Sequence, residues 1–163
     1  MKKSKKQNII IVAIAVIIIG AIAGYNYSVE QTKQKGLKFG NELQQIQEEV
    51  KQLQTEFNSK ITQWEEGDLS QQELSEYSKN HVEKMQNVVL KYDDLTPPKQ
   101  FASSVELFKL STQTQLDSDK EFIEWVKTSD DSHNIRSDSL LQESFEYEMM
   151  ALGEFNAAKS GLR

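Results

Sequence analysis

The chain has 163 residues, with 19 Lys+Arg against 25 Asp+Glu for a formal charge of −6, and only 2 Pro, 7 Gly and no Cys. The length sets one domain as the default. The missing cysteine excludes a disulfide framework, a thiolate metal site, a thiol nucleophile and a lipid-modified cysteine. Two histidines without a His/Asp cluster argue against a histidine-rich metal enzyme, and the acidic balance argues against nucleic acid as a partner.

The N-terminus is of a different character from the rest. Lys2, Lys3, Lys5 and Lys6 precede Ile9–Tyr25, which reads IIIVAIAVIIIGAIAGY. The chain carries no charge from Gln7 to Val29, a run of 23 residues. At ~1.5 Å per helical residue that run spans a hydrocarbon core of roughly 30 Å. A helix apolar on every face is not a water-exposed one. The lysines set the expected order: a basic cytoplasmic tip at 1–8, a transmembrane anchor at 9–27, and residues 28–163 outside the cytoplasm. The expected location is therefore the cell membrane, single-pass. The alternative is a cleaved signal peptide, for which Ala21-Ile22-Ala23 supplies the small-x-small triplet. The length of the apolar run favours the retained anchor. Without the four lysines, residues 28–163 carry 15 basic against 25 acidic side chains, a net −10. The sequon Asn26-Tyr27-Ser28 lies against the expected bilayer edge.

After residue 28 the recurring spacing is helical, with no sustained alternation and no Asn-Gly or Asp-Gly turn. The first helix is expected over about 29–66. Its apolar stripe is Phe39, Leu43, Ile46, Val50, Leu53, Phe57, Ile61 and Trp64, and Gly36 and Gly40 loosen its start. The glutamines between, Gln44, Gln45, Gln47, Gln52 and Gln54, read as a solvated face. Gly67 closes this helix. Ser70 and Glu73 form an S-x-x-E capping box, with Leu69 and Leu74 placed as a hydrophobic staple.

The second helix is expected over about 71–95, with Leu74, Tyr77, His81, Met85, Val88, Tyr92 and Leu95 on its stripe. Pro97 and Pro98 stop it, and Thr96 is the expected cap of a third helix over about 97–128. Phe101, Val105 and Phe108 open that helix, and Phe122, Ile123 and Val126 close it. Between them, Ser111 to Asp119 contains one apolar residue, Leu116. Thr128 to Asn134 reads as a polar loop. A fourth helix is expected over about 135–160, burying Leu141, Phe145, Met149, Leu152 and Phe155. Four amphipathic helices on short connections predict an all-α fold, an antiparallel up-down four-helix bundle of long helices. The regular first stripe also suits a coiled-coil seam between two copies.

The block Tyr92-x-x-Leu95-x-Pro97-Pro98-x-x-Phe101, followed by a polar helix, resembles a pattern in exported helical-hairpin domains of bacteria and archaea. With the Lys-rich tip and the Ile-rich anchor, the whole chain resembles single-pass, membrane-anchored extracytoplasmic helical-bundle proteins of archaeal and bacterial surfaces, families of unknown function. The architecture is also similar to extracellular four-helix sensor domains, although nothing after Tyr25 is apolar enough for a second span. The basic tip resembles that of pilin-like precursors, but Lys6-Gln7-Asn8 lacks their processing pattern.

No motif carries chemistry. There is no G-x-G-x-x-G, Walker A, H-E-x-x-H or G-x-S-x-G. A di-metal bundle needs Glu-x-x-His on two helices, and Asp130-x-x-His133 falls in the expected loop. Glu143, Glu146, Glu148 and Glu154 read as a solvated acidic face, Asp130 and Asp131 as a loop feature, and Trp64 and Trp125 as end packing. No cofactor and no catalytic or metal-binding residue is expected.

Reflecting positions through the expected turns places His81, Thr112, Gln115 and Glu148 at one height, a mid-bundle polar layer in which each group needs a partner. A register-fixing role ranks ahead of a ligand pocket there. The expected function is a non-catalytic, membrane-anchored extracytoplasmic interaction or scaffold module, such as an accessory subunit of an envelope complex, with a protein partner or a second copy. The alternative is a ligand-binding bundle acting with a separate signalling or transport partner.

Overall fold

A computed structural model describes residues 34–161 together with Gly20. The expected anchor at 9–27 and the helix start near residue 29 lie outside the described residues. Among the described residues there is no strand, and no helix is long and apolar enough to cross a membrane. The fold is all-helical, with four helices: α1 (Gln34–Glu66), α2 (Gln71–Lys91), α3 (Ala102–Thr128) and α4 (Asp131–Lys159). Helix α1 runs unbroken through Gly36 and Gly40.

The α1–α2 turn follows from its sequence. Gly67 takes φ 85°, a left-handed conformation open to glycine at little cost. The Asp68 N–H then bonds Gln63 O at 2.8 Å and the Gly67 N–H bonds Trp64 O at 3.1 Å, the paired closure of a Schellman motif. Ser70 and Glu73 form the expected reciprocal capping box.

The α2–α3 connection differs from expectation. Helix α2 ends at Lys91, a 3-10 turn covers Tyr92–Asp94, and a second 3-10 turn at Lys99–Phe101 precedes α3. Thr96 caps nothing, because each proline forces the residue before it into an extended conformation. Thr96 and Pro97 are both so constrained, and helical structure resumes only after Pro98, itself extended at ψ 146°.

The expected loop at 128–134 is two residues long. Ser129 adopts φ 58° and Asp130 accepts a hydrogen bond from the Ser132 N–H, capping α4 at once. The polar side chains of 131–134 belong to a solvated first helical turn.

Side-chain contacts fix the helix directions. Gln47 meets Tyr92 and Gln54 meets Met85, so α1 and α2 are antiparallel. His81 meets Asp119 and Tyr92 meets Thr112, so α2 and α3 are antiparallel. Ser111 meets Ser144 and Ser118 meets Ser137, so α3 and α4 are antiparallel.

The α3–α4 pair is the closest in the fold. Ser104, Ser111 and Ser118 recur every seventh residue on α3, and Ser137, Ser144, Ala151 and Ala158 do so on α4; all seven are buried. The Ser111 hydroxyl donates to the Ser144 carbonyl at 2.9 Å and Ser118 to that of Ser137 at 2.8 Å. Such bonds require backbones nearer than leucine-sized side chains permit. This packing corrects the expected α4 face: Leu152 and Phe155 are buried, but Met149 is 54% exposed.

The apolar core is continuous from Phe39 to Leu53 along α1 and carries Met85, Phe108 and Leu116 past the polar groups of the middle, with aromatic clusters closing both ends. Phe39, Phe101 and Phe155 pack at one end, with ring centroids 5.6 and 5.0 Å apart. Trp64, Phe122 and Trp125 pack edge to face at the other, 5.4 to 6.4 Å apart. The two tryptophans are end packing, as their positions suggest.

Candidate functional site: the polar interior

Between the aromatic ends, α3 turns a run of short and polar side chains inward: Ser111, Thr112, Thr114, Gln115, Ser118 and Asp119 are all buried. They form two tiers.

The upper tier is built on Asp119. Its Oδ2 accepts from Gln54 Nε2 at 2.6 Å and from His81 Nε2 at 2.8 Å. A carboxylate only accepts, so Gln54 turns its nitrogen and His81 an N–H toward it. Phe57 stacks on the His81 ring at 4.1 Å and 9°. His81 is 1% exposed, and its Nδ1 has no hydrogen-bond partner among the described residues. Three helices thus converge on one carboxylate.

The lower tier is built on Tyr92. Gln47 Nε2 donates to the Tyr92 oxygen at 2.8 Å, the Tyr92 hydroxyl donates to Thr112 Oγ1 at 2.9 Å, and Thr112 donates to Phe108 O at 3.0 Å. Burial raises the Tyr92 pKa above the usual phenol range; the bond to Thr112 opposes the shift, the Glu148 charge adds to it, and the bond to Gln47 opposes it. Beside this chain lies a small pocket of about 20 Å³ lined by Gln47, Val50, Lys51 and Gln54 of α1, Phe108, Ser111, Thr112 and Gln115 of α3, and Glu148 of α4. Burial pushes the Glu148 carboxyl up to about 7.

The four residues assigned to one polar layer therefore sit in both tiers. Thr112, Gln115 and Glu148 line the pocket together, and His81 pairs with Asp119 in the tier above. Gln54 belongs to both, donating to Asp119 and lining the pocket.

Two expectations are corrected. Gln47 and Gln54 are not part of a solvated face; they are 6% and 2% exposed. They stand seven residues apart, beside the apolar positions Ile46 and Leu53, and that spacing was the available signal for an inward pair. Glu148 departs from the exposed acidic face of Glu143 and Glu146 because it turns toward the pocket.

A separate polar cluster fastens the α3–α4 turn. Glu121 binds His133 Nδ1 at 2.6 Å and Arg136 Nε at 3.0 Å, and the bond to Glu121 raises the His133 pKa. Among the described residues no group of three or more His, Cys, Asp or Glu is arranged to hold a metal. Comparison with known protein families, with curated proteins and with solved structures gives no match.

Proposed function

We propose that the chain is a membrane-anchored extracytoplasmic interaction or scaffold module. Residues 9–27 hold it in the membrane as a single span, with 1–8 on the cytoplasmic side. Residues 28–163 stand outside as an up-down four-helix bundle that meets a protein partner, with no catalysis of its own. The observation that carries this reading is how the interior polar groups are used. Asp119 is taken by Gln54 and His81, and Tyr92 by Gln47 and Thr112. Groups bonded to one another across helices fix the relative register of those helices, the work of a rigid spacer. Met149 and Met150, both more than half exposed on α4, suit a partner contact because methionine adapts to irregular apolar surfaces.

Protease added to intact cells tests the topology: it should digest 28–163 and spare the basic tip. N-terminal sequencing that begins at Gly24 would replace the anchor with a cleaved signal. A photo-crosslinking residue at Met150 should give one adduct of defined mass in membranes, and twice the monomer mass would identify a second copy as the partner. No adduct from α4, with topology as expected, would overturn the interaction reading.

A further inference from the structure

The outer face of α4 differs from the rest of the surface in three respects. It is acidic without relief: from Ser137 to Ala158 the chain carries Asp138, Glu143, Glu146, Glu148 and Glu154 and no lysine or arginine. Carboxylates of α1 and α3 pair with lysines, as Glu42, Glu49, Asp117 and Glu124 do. Among the described residues Asp138, Glu143 and Glu146 form no ion pair; Glu143 accepts only from the Tyr147 hydroxyl at 2.8 Å and Glu146 only from the Gln142 amide at 3.3 Å. The face is also apolar in places. Of the five large apolar side chains exposed among the described residues, Ile135, Met149 and Met150 belong to α4. Finally, Gly153 lies inside the helix with nothing in the fold to call for it. It follows the buried Ser144 by two and a half turns at ~3.6 residues per turn, so it faces away from α3. No neighbouring group comes within 4 Å of where its Cβ would stand, and its φ is not positive. Glycine is less stable than alanine in a helix interior.

Bare helix backbone at Gly153, with Met149 and Met150 one turn before it, is a seat for a second helix. Glycine lets another backbone come close, and methionine adapts to the side chains that arrive with it. The unpaired carboxylates fix the sign of the visitor. We propose that this face docks an amphipathic helix of another protein, its apolar ridge over Met149, Met150 and Gly153 and its lysine or arginine flanks against Glu143 and Glu146. Such docking rests on the interaction reading proposed above and adds the chemistry of the partner. A second copy fits poorly. A two-fold contact through α4, between chains held upright in one membrane, sets Glu143 and Glu146 against their own kind.

The chain has no cysteine, so a dye on Ser139→Cys, exposed on the same face, reads occupancy locally. The full chain in nanodiscs of zwitterionic lipid, with empty discs as the blank, is titrated with a synthetic helix that has leucine at three–four spacing and lysine on both flanks. The dye should respond saturably, and high salt should weaken the binding. The same helix with glutamate for lysine should bind at least about tenfold more weakly. Gly153→Leu fills the seat and should cut affinity for the lysine helix at least about tenfold. Its unfolding midpoint should stay level or rise by about 2–4 °C, which separates a blocked face from a misfolded chain. A dye unmoved by the lysine helix, equal binding of the glutamate helix, or binding that survives Gly153→Leu would overturn the proposal. So would a dye response to chain concentration alone, which assigns the face to a second copy. If the lysine helix fails while crosslinking from Met150 still gives an adduct, the interaction reading stands and only the partner's chemistry falls.

Discussion

Removing the carboxylate of Asp119 is the sharpest perturbation of the interior. In Asp119→Ala the Gln54 amide and the His81 ring each lose the acceptor that satisfies them at 2.6 and 2.8 Å. Gln54 and His81 are 2% and 1% exposed, so water has little access to either. A buried donor left unpaired costs ~1–3 kcal/mol, and part of this is returned because the buried carboxylate no longer has to be desolvated. The net loss should be about 2–4 kcal/mol, a large share of the ~5–15 kcal/mol typical of a folded domain. Asp119→Asn keeps one acceptor oxygen and should cost less than Asp119→Ala. Urea unfolding followed by far-UV circular dichroism measures both. Pairing His81→Leu with Asp119→Leu in a double-mutant cycle should give a coupling of at least about 1 kcal/mol. A loss below about 1 kcal/mol for Asp119→Ala, together with additive behaviour in the cycle, would refute the view that this tier holds three helices in register.

Further expectations follow from other contacts. Ser144→Leu puts a bulky side chain where α3 and α4 touch, and should destabilise by about 1–3 kcal/mol or more, whereas the exposed Met149→Ala should stay within about 0.5 kcal/mol. Ser70→Ala removes a reciprocal cap and should cost about 0.5–2 kcal/mol in the same assay. Glu148 has a folded-state pKa of about 7 against a reference of 4.5, so the folded chain binds this proton more tightly than the unfolded one. Its contribution is present in full below the reference value and is lost as pH rises through about 7. Glu148→Gln should flatten that part of the stability–pH curve and exceed the wild type at pH 8 by up to about 3 kcal/mol. A curve parallel to the wild type would show that burial does not set this carboxyl.

Periodicity made most of the buried apolar positions of the first two helices legible, although Val50, Ile61, Trp64 and Tyr77 are only half-buried. Phe39, Leu43, Ile46, Leu53 and Phe57 are buried on α1, and Leu74, His81, Met85, Val88 and Tyr92 on α2 or just beyond it. Local chemistry placed the turn between them, because Gly67 and the Ser70–Glu73 box act within a few residues. The second half was less legible because its inward face is not apolar. A search for large hydrophobic residues passes over Ser111, Ser118, Ser137 and Ser144, although all four are buried. The same search assigned Met149 to a core it does not enter. The repeat of seven in small residues was visible in the sequence, but its meaning depends on a matching repeat in the neighbouring helix. Gln47 and Gln54 were missed for a related reason. A glutamine beside an apolar stripe turns inward only when a partner waits there, and those partners, Tyr92 and Asp119, lie 45 and 65 residues away.

The division into two tiers explains why the polar middle is tolerable at all. Apolar side chains, from Phe39, Phe101 and Phe155 at one end through Leu53, Met85, Phe108 and Leu116 to the half-buried Trp64, Phe122 and Trp125 at the other, supply burial without specifying how far one helix slides along the next. Apolar contacts are non-directional, and a one-turn slip would re-form many of them. Hydrogen bonds at 2.6 to 2.9 Å do not survive such a slip. Displacing α3 by one turn of ~5.4 Å would strip Asp119 from Gln54 and His81 and Thr112 from Tyr92, and would unseat both serine pairs. Each lost partner leaves a buried polar group, so the alternative register is penalised at several places together. The interior polar side chains thus decide between registers that the aromatic ends cannot distinguish. Glu148 is the exception: with its carboxyl pushed up to about 7 by burial, it costs stability at high pH and contributes nothing to that lock.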